Sequence, residues 1–311
     1  MSSKSNDNGR AFEYAFINKL YKSISKYRSV NIRKDKHYNA TANAWKVMNL
    51  SIKKSLVCAA SAVIKELFNR EPNLISNNSN IELYIQPDSN GQLGDVRDIV
   101  AKDTSIKWEI GFSLKHNHFA VKHSRLSHKL DFGYEWYQVA CDRSYWTAVD
   151  PIFNNLKKMK SSKTIWSRVP NKVDNVYKPL LFAFMDEVKR AVNVNGNVPK
   201  RMVEYLLGKY DFWKMIGIDK QRKTDLVAFN MHDTLGKNST VLVPIINLPT
   251  CIVGIKIDPK HPDNTVLLAF DEGWSFSFRI HSASTIVEPS LKFDIQIEGM
   301  PTSLIPIVCN W

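Results

Sequence analysis

GDVRD at residues 94–98 and EIGFSLK at residues 109–115 are the two segments that indicate the fold of this 311-residue chain most clearly. They lie in two strand-like runs, residues 95–101 and 106–115, and the turn-forming sequence KDTS between these runs predicts a β-hairpin. In the second run, apolar side chains alternate with Glu, Gly, Ser and Lys. One face of this strand is therefore expected to pack in the core, and the other face is expected to be polar.

Helices and further strands are predicted on both sides of the hairpin. Phe12, Phe16 and Leu20 lie four positions apart, which is typical of an amphipathic helix, and Glu13 lies just off its apolar stripe. The other predicted elements are helices at residues 55–69, 179–192 and 199–207 and strands at residues 81–86, 226–229, 251–257, 265–270, 274–280 and 291–297. This order predicts an α/β (α+β) fold with a mixed central sheet flanked by helices and a β-rich C-terminal region.

The chain is strongly basic, because 43 Lys and Arg residues against 30 Asp and Glu residues give a net charge of +13. This charge favours a polyanionic partner, although charge alone does not distinguish DNA from RNA or an anionic membrane surface, and a merely basic protein is the alternative. The 4 cysteines have neither zinc-ligand spacing nor a disulfide pattern. No apolar run is long enough for a membrane span, and the N-terminus lacks an apolar signal core, so we expect a cytoplasmic protein.

The predicted hairpin places Asp98 and Lys115 on neighbouring strands, and phosphodiester hydrolysis needs groups of this kind. A carboxylate can hold Mg²⁺ against the scissile phosphate, and an ammonium group can position or activate the attacking water. Ser113 and Lys115 share one face of their strand, whereas Glu109 lies on that face roughly 13 Å away at about 3.3 Å per residue. An ordinary surface ion pair between Asp98 and Lys115 is the alternative interpretation.

Four segments spread over most of the chain resemble those of the HaeIII-type type II restriction endonucleases. They are residues 9–15, 94–100, 109–127 and 273–284, and they occur in the expected order. This resemblance implies the PD-(D/E)xK nuclease fold and cleavage of double-stranded DNA at 5′-GGCC-3′. It also implies dependence on Mg²⁺, with one or two ions in each active site, and a product with 5′-phosphate and 3′-hydroxyl ends.

The resemblance also implies roles for single residues. Lys115 would be the signature lysine, Asp98 or Asp95 the metal-binding aspartate, and Glu13 a supplementary metal ligand from the first helix. Ser113 stands where the signature usually has its second acid, so a further carboxylate must come from Glu13 or Asp95. This departure leaves open a rival hypothesis, in which the chain is a non-catalytic, sequence-specific DNA-binding protein on a nuclease-like fold.

Two groups of basic and polar residues are candidates for DNA contacts. The first follows the signature lysine and comprises His116, Asn117, His118, Lys122, His123 and Arg125. These side chains would hold phosphate oxygens beside the metal site, and a solvated basic turn is the alternative. Arg279 and His281 on a late strand are candidate base readers, because G·C pairs present acceptors to basic side chains in the major groove.

We expect a nuclease catalytic core at residues 1–175 and a helical, then β-rich, region at residues 176–311 that completes the core and DNA recognition. Double-stranded DNA is the expected partner, with no membrane partner and no small-molecule cofactor other than the metal. The sequence does not decide between a homodimer on the palindrome and a monomer that acts twice.

Overall fold

The structure is a computed structural model that describes residues 4–76, 78–117 and 122–311. Its internal contacts divide the chain into two compact units. The first comprises Met1–Phe119, Gly208–Ile246 and Thr302–Trp311, and the second comprises Ala120–Leu207 and Asn247–Pro301. This division differs from the expected boundary after residue 175, because each unit takes segments that are distant from one another in the sequence.

Helices occur in both units. Within the described residues they are α1 (Lys4–Ile24), α2 (Lys36–Val47), α3 (Leu50–Ala62), α4 (Ile64–Arg70), α5 (Phe132–Tyr137), α6 (Arg143–Ser161), α7 (Lys178–Val194) and α8 (Val198–Leu207). The predicted amphipathic helix is confirmed as α1, in which Phe12, Phe16 and Leu20 are fully buried. The helix predicted at residues 55–69 is instead two helices, α3 and α4, which meet at the buried Val63 with φ −85° and ψ −14°.

Strands form one sheet in each unit. They are β1 (Val30–Ile32), β2 (Ile81–Ile85), β3 (Ile99–Asp103), β4 (Trp108–His116), β5 (Lys122–Ser127), β6 (Phe212–Ile218), β7 (Lys223–Phe229), β8 (Ile252–Ile257), β9 (Thr265–Phe270), β10 (Ser275–His281), β11 (Ser290–Gly299) and β12 (Ile307–Asn310). The first unit holds a seven-stranded sheet in the order β1-β2-β3-β4-β6-β7-β12. The second unit holds a five-stranded sheet in the order β5-β11-β10-β9-β8.

The seven-stranded sheet is mixed, as the sequence predicted. Its β1–β2 and β4–β6 pairs are parallel, whereas its other neighbouring pairs are antiparallel. The predicted hairpin is confirmed as β3 and β4, with Ile99 opposite Phe112. Helix α1 packs on the apolar face of β4, where the ring centroids of Phe16 and Phe112 are 5.2 Å apart. Burial of these side chains fixes α1 against the strand that carries Ser113 and Lys115.

The five-stranded sheet is antiparallel and has its own aromatic core. Phe278 of β10 and Phe293 of β11 pack against Phe184 of α7, with ring centroids 5.4 and 5.2 Å from that of Phe184. Trp136 of α5 completes the cluster. Because alternate residues of a strand face opposite sides, this packing leaves Arg279 and His281 on the other face of the sheet.

The helices of the described ranges include none that combines the length and the apolar character needed to cross a membrane.

Candidate active site

The β3–β4 hairpin brings three of the predicted site residues together. The backbone N–H of Asp98 donates to the carbonyl of Phe112 at 2.8 Å, which fixes Asp98 directly before β3. Its Oδ2 atom then accepts from the backbone N–H of Leu114 at 2.6 Å, from Ser113 Oγ at 3.2 Å and from Lys115 Nζ at 3.5 Å. In the described part of the chain no group donates to Oδ1 of Asp98, so this atom is available to a metal ion or a water molecule.

Glu13 of α1 is half-buried and interacts electrostatically with Asp98 and Lys115. Burial raises the pKa of Glu13 well above its ordinary value, the negative charge of Asp98 raises it further, and Lys115 lowers it. Two neighbouring carboxylates that disfavour each other's ionisation are both stabilised as anions when a cation binds between them. The charges of Asp98 and Lys115 therefore act on the Glu13 carboxyl.

A divalent metal ion fits this donor set. Across residues 4–76, 78–117 and 122–311, no three side chains among His, Cys, Asp and Glu cluster as a complete metal site. Mg²⁺ typically binds through one or two carboxylates, and substrate phosphate oxygens and water complete its octahedral shell. Asp98 and Glu13 are two carboxylates of the kind that such a shell uses.

Asp95 and Glu109 are engaged elsewhere. Arg97 donates to both oxygens of Asp95, from Nε and Nη2 at 2.8 Å each, and Nη1 of Arg97 donates to Glu109 at 2.9 Å. Gln86 Nε2 also donates to Asp95, at 2.6 Å. Because a buried arginine already balances its charge, Asp95 does not enter the Asp98 group as a free carboxylate.

Lys214 of β6 lies next to Ser113 in the sheet, and the sequence did not lead us to predict this neighbour. It pairs with Ser113 in the parallel register of β6 and β4, and it is 7% exposed. Burial and the positive charge of Lys115 lower the pKa of Lys214 to about 8, whereas Asp98 raises it. A lysine inside the apolar run FWKMIG is the signal that marks this position in the sequence.

His116 and Asn117 follow Lys115 and are tied to the fold through Asp219. His116 Nε2 is 2.9 Å from Asp219 Oδ2, and its ring lies against Phe12. Asn117 donates to Asp219 at 3.3 Å and accepts from its backbone N–H at 3.2 Å. These contacts give both residues a structural role at the end of β4.

The remaining candidate DNA contacts that follow Lys115 in the sequence are described only in part. His118 lies outside the described residues, and so do the side chains of Lys122 and His123, whose backbone forms the start of β5. Arg125 of β5 donates to Ser290 Oγ at 3.4 Å.

Arg279 and His281 lie in the second unit and share one acidic partner. Arg279 Nη2 is 2.9 Å and His281 Nε2 is 3.1 Å from Asp294 Oδ2. Lys292 is 3.6 Å from the other oxygen of Asp294. The Arg279 side chain remains 56% exposed, so it is accessible to an external ligand.

Comparisons with known proteins identify both a family and a relative of this chain. The model of the HaeIII restriction endonuclease family matches residues 9–301. The chain is 45% identical over 317 residues to the Type II restriction enzyme HaeIII of Haemophilus aegyptius, and the match covers 100% of this chain and 99% of that enzyme. No solved structure matches the chain.

Proposed function

The chain belongs to the HaeIII restriction endonuclease family, and from this premise we propose that it cleaves double-stranded DNA at 5′-GGCC-3′ with Mg²⁺. It is a type II restriction endonuclease, a site-specific deoxyribonuclease, so the rival hypothesis of a non-catalytic DNA-binding protein is wrong. The proposed products carry 5′-phosphate and 3′-hydroxyl ends, because one water attacks phosphorus in each strand and the 3′ oxygen leaves.

The observation that carries the proposed active site is the convergence of Ser113, Leu114 and Lys115 on Oδ2 of Asp98. Three donors orient the carboxylate through Oδ2, and none of these three donates to Oδ1. The Lys115 ammonium, which is 31% exposed, is accessible to a phosphate oxygen or to the attacking water. Lys115 thus positions the water and stabilises the charge that develops on the phosphate.

Asp98 and Glu13 would hold the Mg²⁺ ion. When bound, the ion polarises the scissile phosphate and stabilises the negative charge of the in-line transition state. Ser113 is not a metal ligand in this arrangement; its hydroxyl donates to Asp98 and orients it. Glu13 from α1 thereby supplies the carboxylate that the signature usually has at the position of Ser113.

DNA recognition is proposed to use the polar face of the five-stranded sheet. Arg125 pairs in register with Lys292, and Lys292 pairs with His281, so three basic residues form one row across β5, β11 and β10. Arg279 and Asp294 form the next row. Arginine matches the O6 and N7 acceptors of guanine, and a carboxylate can accept from the cytosine amino group, so these rows offer the chemistry that G·C pairs require.

A digest of DNA of known sequence tests this proposal. We expect cleavage within every 5′-GGCC-3′ site in Mg²⁺, none with a chelator, and fragment ends that ligate directly because they carry a 5′-phosphate. Cleavage at another sequence would refute the proposed specificity, and cleavage in excess chelator would refute the metal requirement. Sedimentation of the complex on one duplex distinguishes a homodimer on the palindrome from a monomer that acts twice.

A further inference from the structure

Lys214 lies directly beside the proposed active site on the neighbouring strand. It is paired with Ser113, and paired residues of adjacent strands project from the same side of a sheet. Ser113 and Lys115 share that side as well, because they are two positions apart on β4. The Lys214 side chain therefore emerges next to Ser113, on the face of the sheet that carries the hydroxyl and ammonium groups of the site.

The Lys214 ammonium is a buried cation with no ion-pair partner among the described residues. It is 7% exposed, and its nearest ring contact is Phe229, whose centroid lies 5.7 Å away. Burying an unpaired ammonium group costs free energy, and the neighbouring Lys115 adds repulsion. The negative charge of Asp98 favours the charged form of Lys214, but Asp98 already forms an ion pair with Lys115. The position thus holds positive charge that an incoming anion would balance.

The site also has fewer carboxylates than two metal ions need. Asp98 and Glu13 are the acids that interact electrostatically at the proposed site, and Ser113 occupies the position of the usual second acid. Two-metal sites use both ions to stabilise the attacking and leaving oxygens. In this chain Lys214 lies beside Ser113 instead. Its ammonium group supplies positive charge and, unlike a second metal ion, needs no carboxylate to hold it.

We propose that Lys214 is a further catalytic residue, whose ammonium group binds a non-bridging oxygen of the scissile phosphate and replaces the charge of a second metal ion. This inference rests on the proposed active site at Asp98 and Lys115. Charge on the phosphorane increases in the transition state, so the ammonium group stabilises that state more than bound DNA. Lys115 remains free to hold the attacking water.

The Lys214→Met variant separates this role from a structural one. Met has a similar length without charge, so the single-turnover cleavage rate of a 5′-GGCC-3′ duplex should fall about 100-fold or more. Affinity for the same duplex in Ca²⁺ should change by less than about fivefold, because most phosphate contacts remain. The melting temperature should rise, since a buried unpaired charge has been replaced by an apolar group. A lysine that only supports the fold would give a lower melting temperature instead.

Three reference variants complete the test. Lys223→Met, on β7 of the same sheet, removes a lysine that already pairs with Asp225 at 3.2 Å, and it should cleave at the wild-type rate. Lys214→Arg keeps the charge and should cleave at least about tenfold faster than Lys214→Met. Asp98→Asn should be inactive, which verifies the active site itself.

The outcomes distinguish the two levels of the proposal. If Asp98→Asn is inactive and Lys214→Met cleaves within tenfold of wild type, the role of Lys214 is refuted and the active site stands. Unfolding or a lower melting temperature of Lys214→Met would equally refute it. If Asp98→Asn cleaves normally, the proposed active site itself is wrong.

Discussion

Oδ2 of Asp98 accepts from three neighbours of one strand, and this geometry explains how a serine can stand in a nuclease signature. Ser113 donates to the aspartate at 3.2 Å, and in the proposed active site Glu13 is the second carboxylate. The proposed site therefore depends on α1 for a metal ligand. At the residue scale, the strongest tests are therefore substitutions of single acidic groups whose pKa the fold has raised.

Glu13→Gln should weaken the affinity of the enzyme for Mg²⁺ in a pH-dependent way. The raised pKa of Glu13 means that a falling pH protonates it above the ordinary carboxyl range, so the wild type should need more Mg²⁺ as pH falls. The variant should need about tenfold more Mg²⁺ than the wild type at the higher pH values, where Glu13 of the wild type is ionised, and it should lose most of this pH dependence. Rates at a series of Mg²⁺ concentrations measure both effects. Glu82→Gln, on β2, is the control, and an unchanged Mg²⁺ requirement in Glu13→Gln would exclude Glu13 as a ligand.

Glu71 offers a stability test that is independent of catalysis. It is fully buried, and Trp213 Nε1 and the backbone N–H of Gly236 donate to its Oε1 at 2.8 and 2.9 Å. Its Oε2 atom has no partner among the described residues, and burial raises the pKa of Glu71 from 4.5 to about 7. Because the folded state then binds the proton more tightly than the unfolded state, the free energy of unfolding should fall between pH 4.5 and 7.

Urea denaturation between pH 4.5 and 8 measures this effect. The wild type should lose up to about 3 kcal/mol of stability over the range, at about 1.4 kcal/mol per pKa unit. Glu71→Gln keeps an oxygen for Trp213 and Gly236 but cannot ionise, so its stability should vary less with pH. Parallel curves for the two proteins would contradict the raised pKa.

At the element scale, β4 is the strand on which the fold and the site both depend. Its apolar face carries Phe112 against α1, and its polar face carries Gly111 under the Arg97 side chain. A Cβ atom at Gly111 would lie 1.9 Å from Cδ of Arg97, so only glycine leaves room for this arginine. Arg97 forms ion pairs with Asp95 and Glu109, so moving its side chain would break these contacts and cost free energy.

Gly111→Ala should therefore destabilise the protein by about 1–3 kcal/mol, because the arginine must move from its ion pairs. Gly254→Ala is a matched control on β8, where an added Cβ meets nothing within 4 Å, and its effect should stay within about 0.5 kcal/mol. Denaturant unfolding of the two variants gives the comparison. Equal stabilities would mean that Arg97 does not cover β4 as described.

Local patterns predicted the elements that are continuous in sequence. Alternating apolar and polar residues predicted the β3–β4 hairpin, and apolar residues four positions apart predicted α1. Asp98, Lys115 and Glu13 could therefore be proposed together. Lys214 could not be placed in the same way, because β6 joins β4 through a parallel pairing between distant segments. The same long-range pairing explains why a single boundary after residue 175 does not describe the two units. Apolar periodicity within one strand does not identify the distant strand with which it pairs.

At the scale of the whole molecule, the net charge of +13 predicts how binding depends on salt. Each phosphate neutralised by a basic side chain contributes about −0.9 to the slope of log K against log salt concentration. The exposed arginines of the five-stranded sheet are candidates for such contacts, but a base reader and a phosphate contact differ in their signatures.

Arg125→Ala and Arg279→Ala should separate these two roles. We expect Arg125→Ala to weaken binding to every duplex alike and to flatten the salt slope by about one unit. Arg279→Ala should instead lose about 1–3 kcal/mol of discrimination at one base pair. Isotherms on 5′-GGCC-3′ and scrambled duplexes in Ca²⁺, at three salt concentrations, report both quantities. Equal losses on both duplexes for Arg279→Ala would remove it from the set of base readers.

The most direct test of the account is the single-turnover cleavage rate of Lys115→Met, measured against Lys102→Met. Lys102 lies on β3 opposite Glu109, away from Asp98, and its side chain is 43% exposed, so its substitution controls for the loss of one lysine. We expect Lys115→Met to lose about 100-fold or more of the rate while it still folds and binds the duplex, and we expect Lys102→Met to cleave normally. Cleavage by Lys115→Met within tenfold of wild type would contradict the assignment of the active site to Asp98 and Lys115.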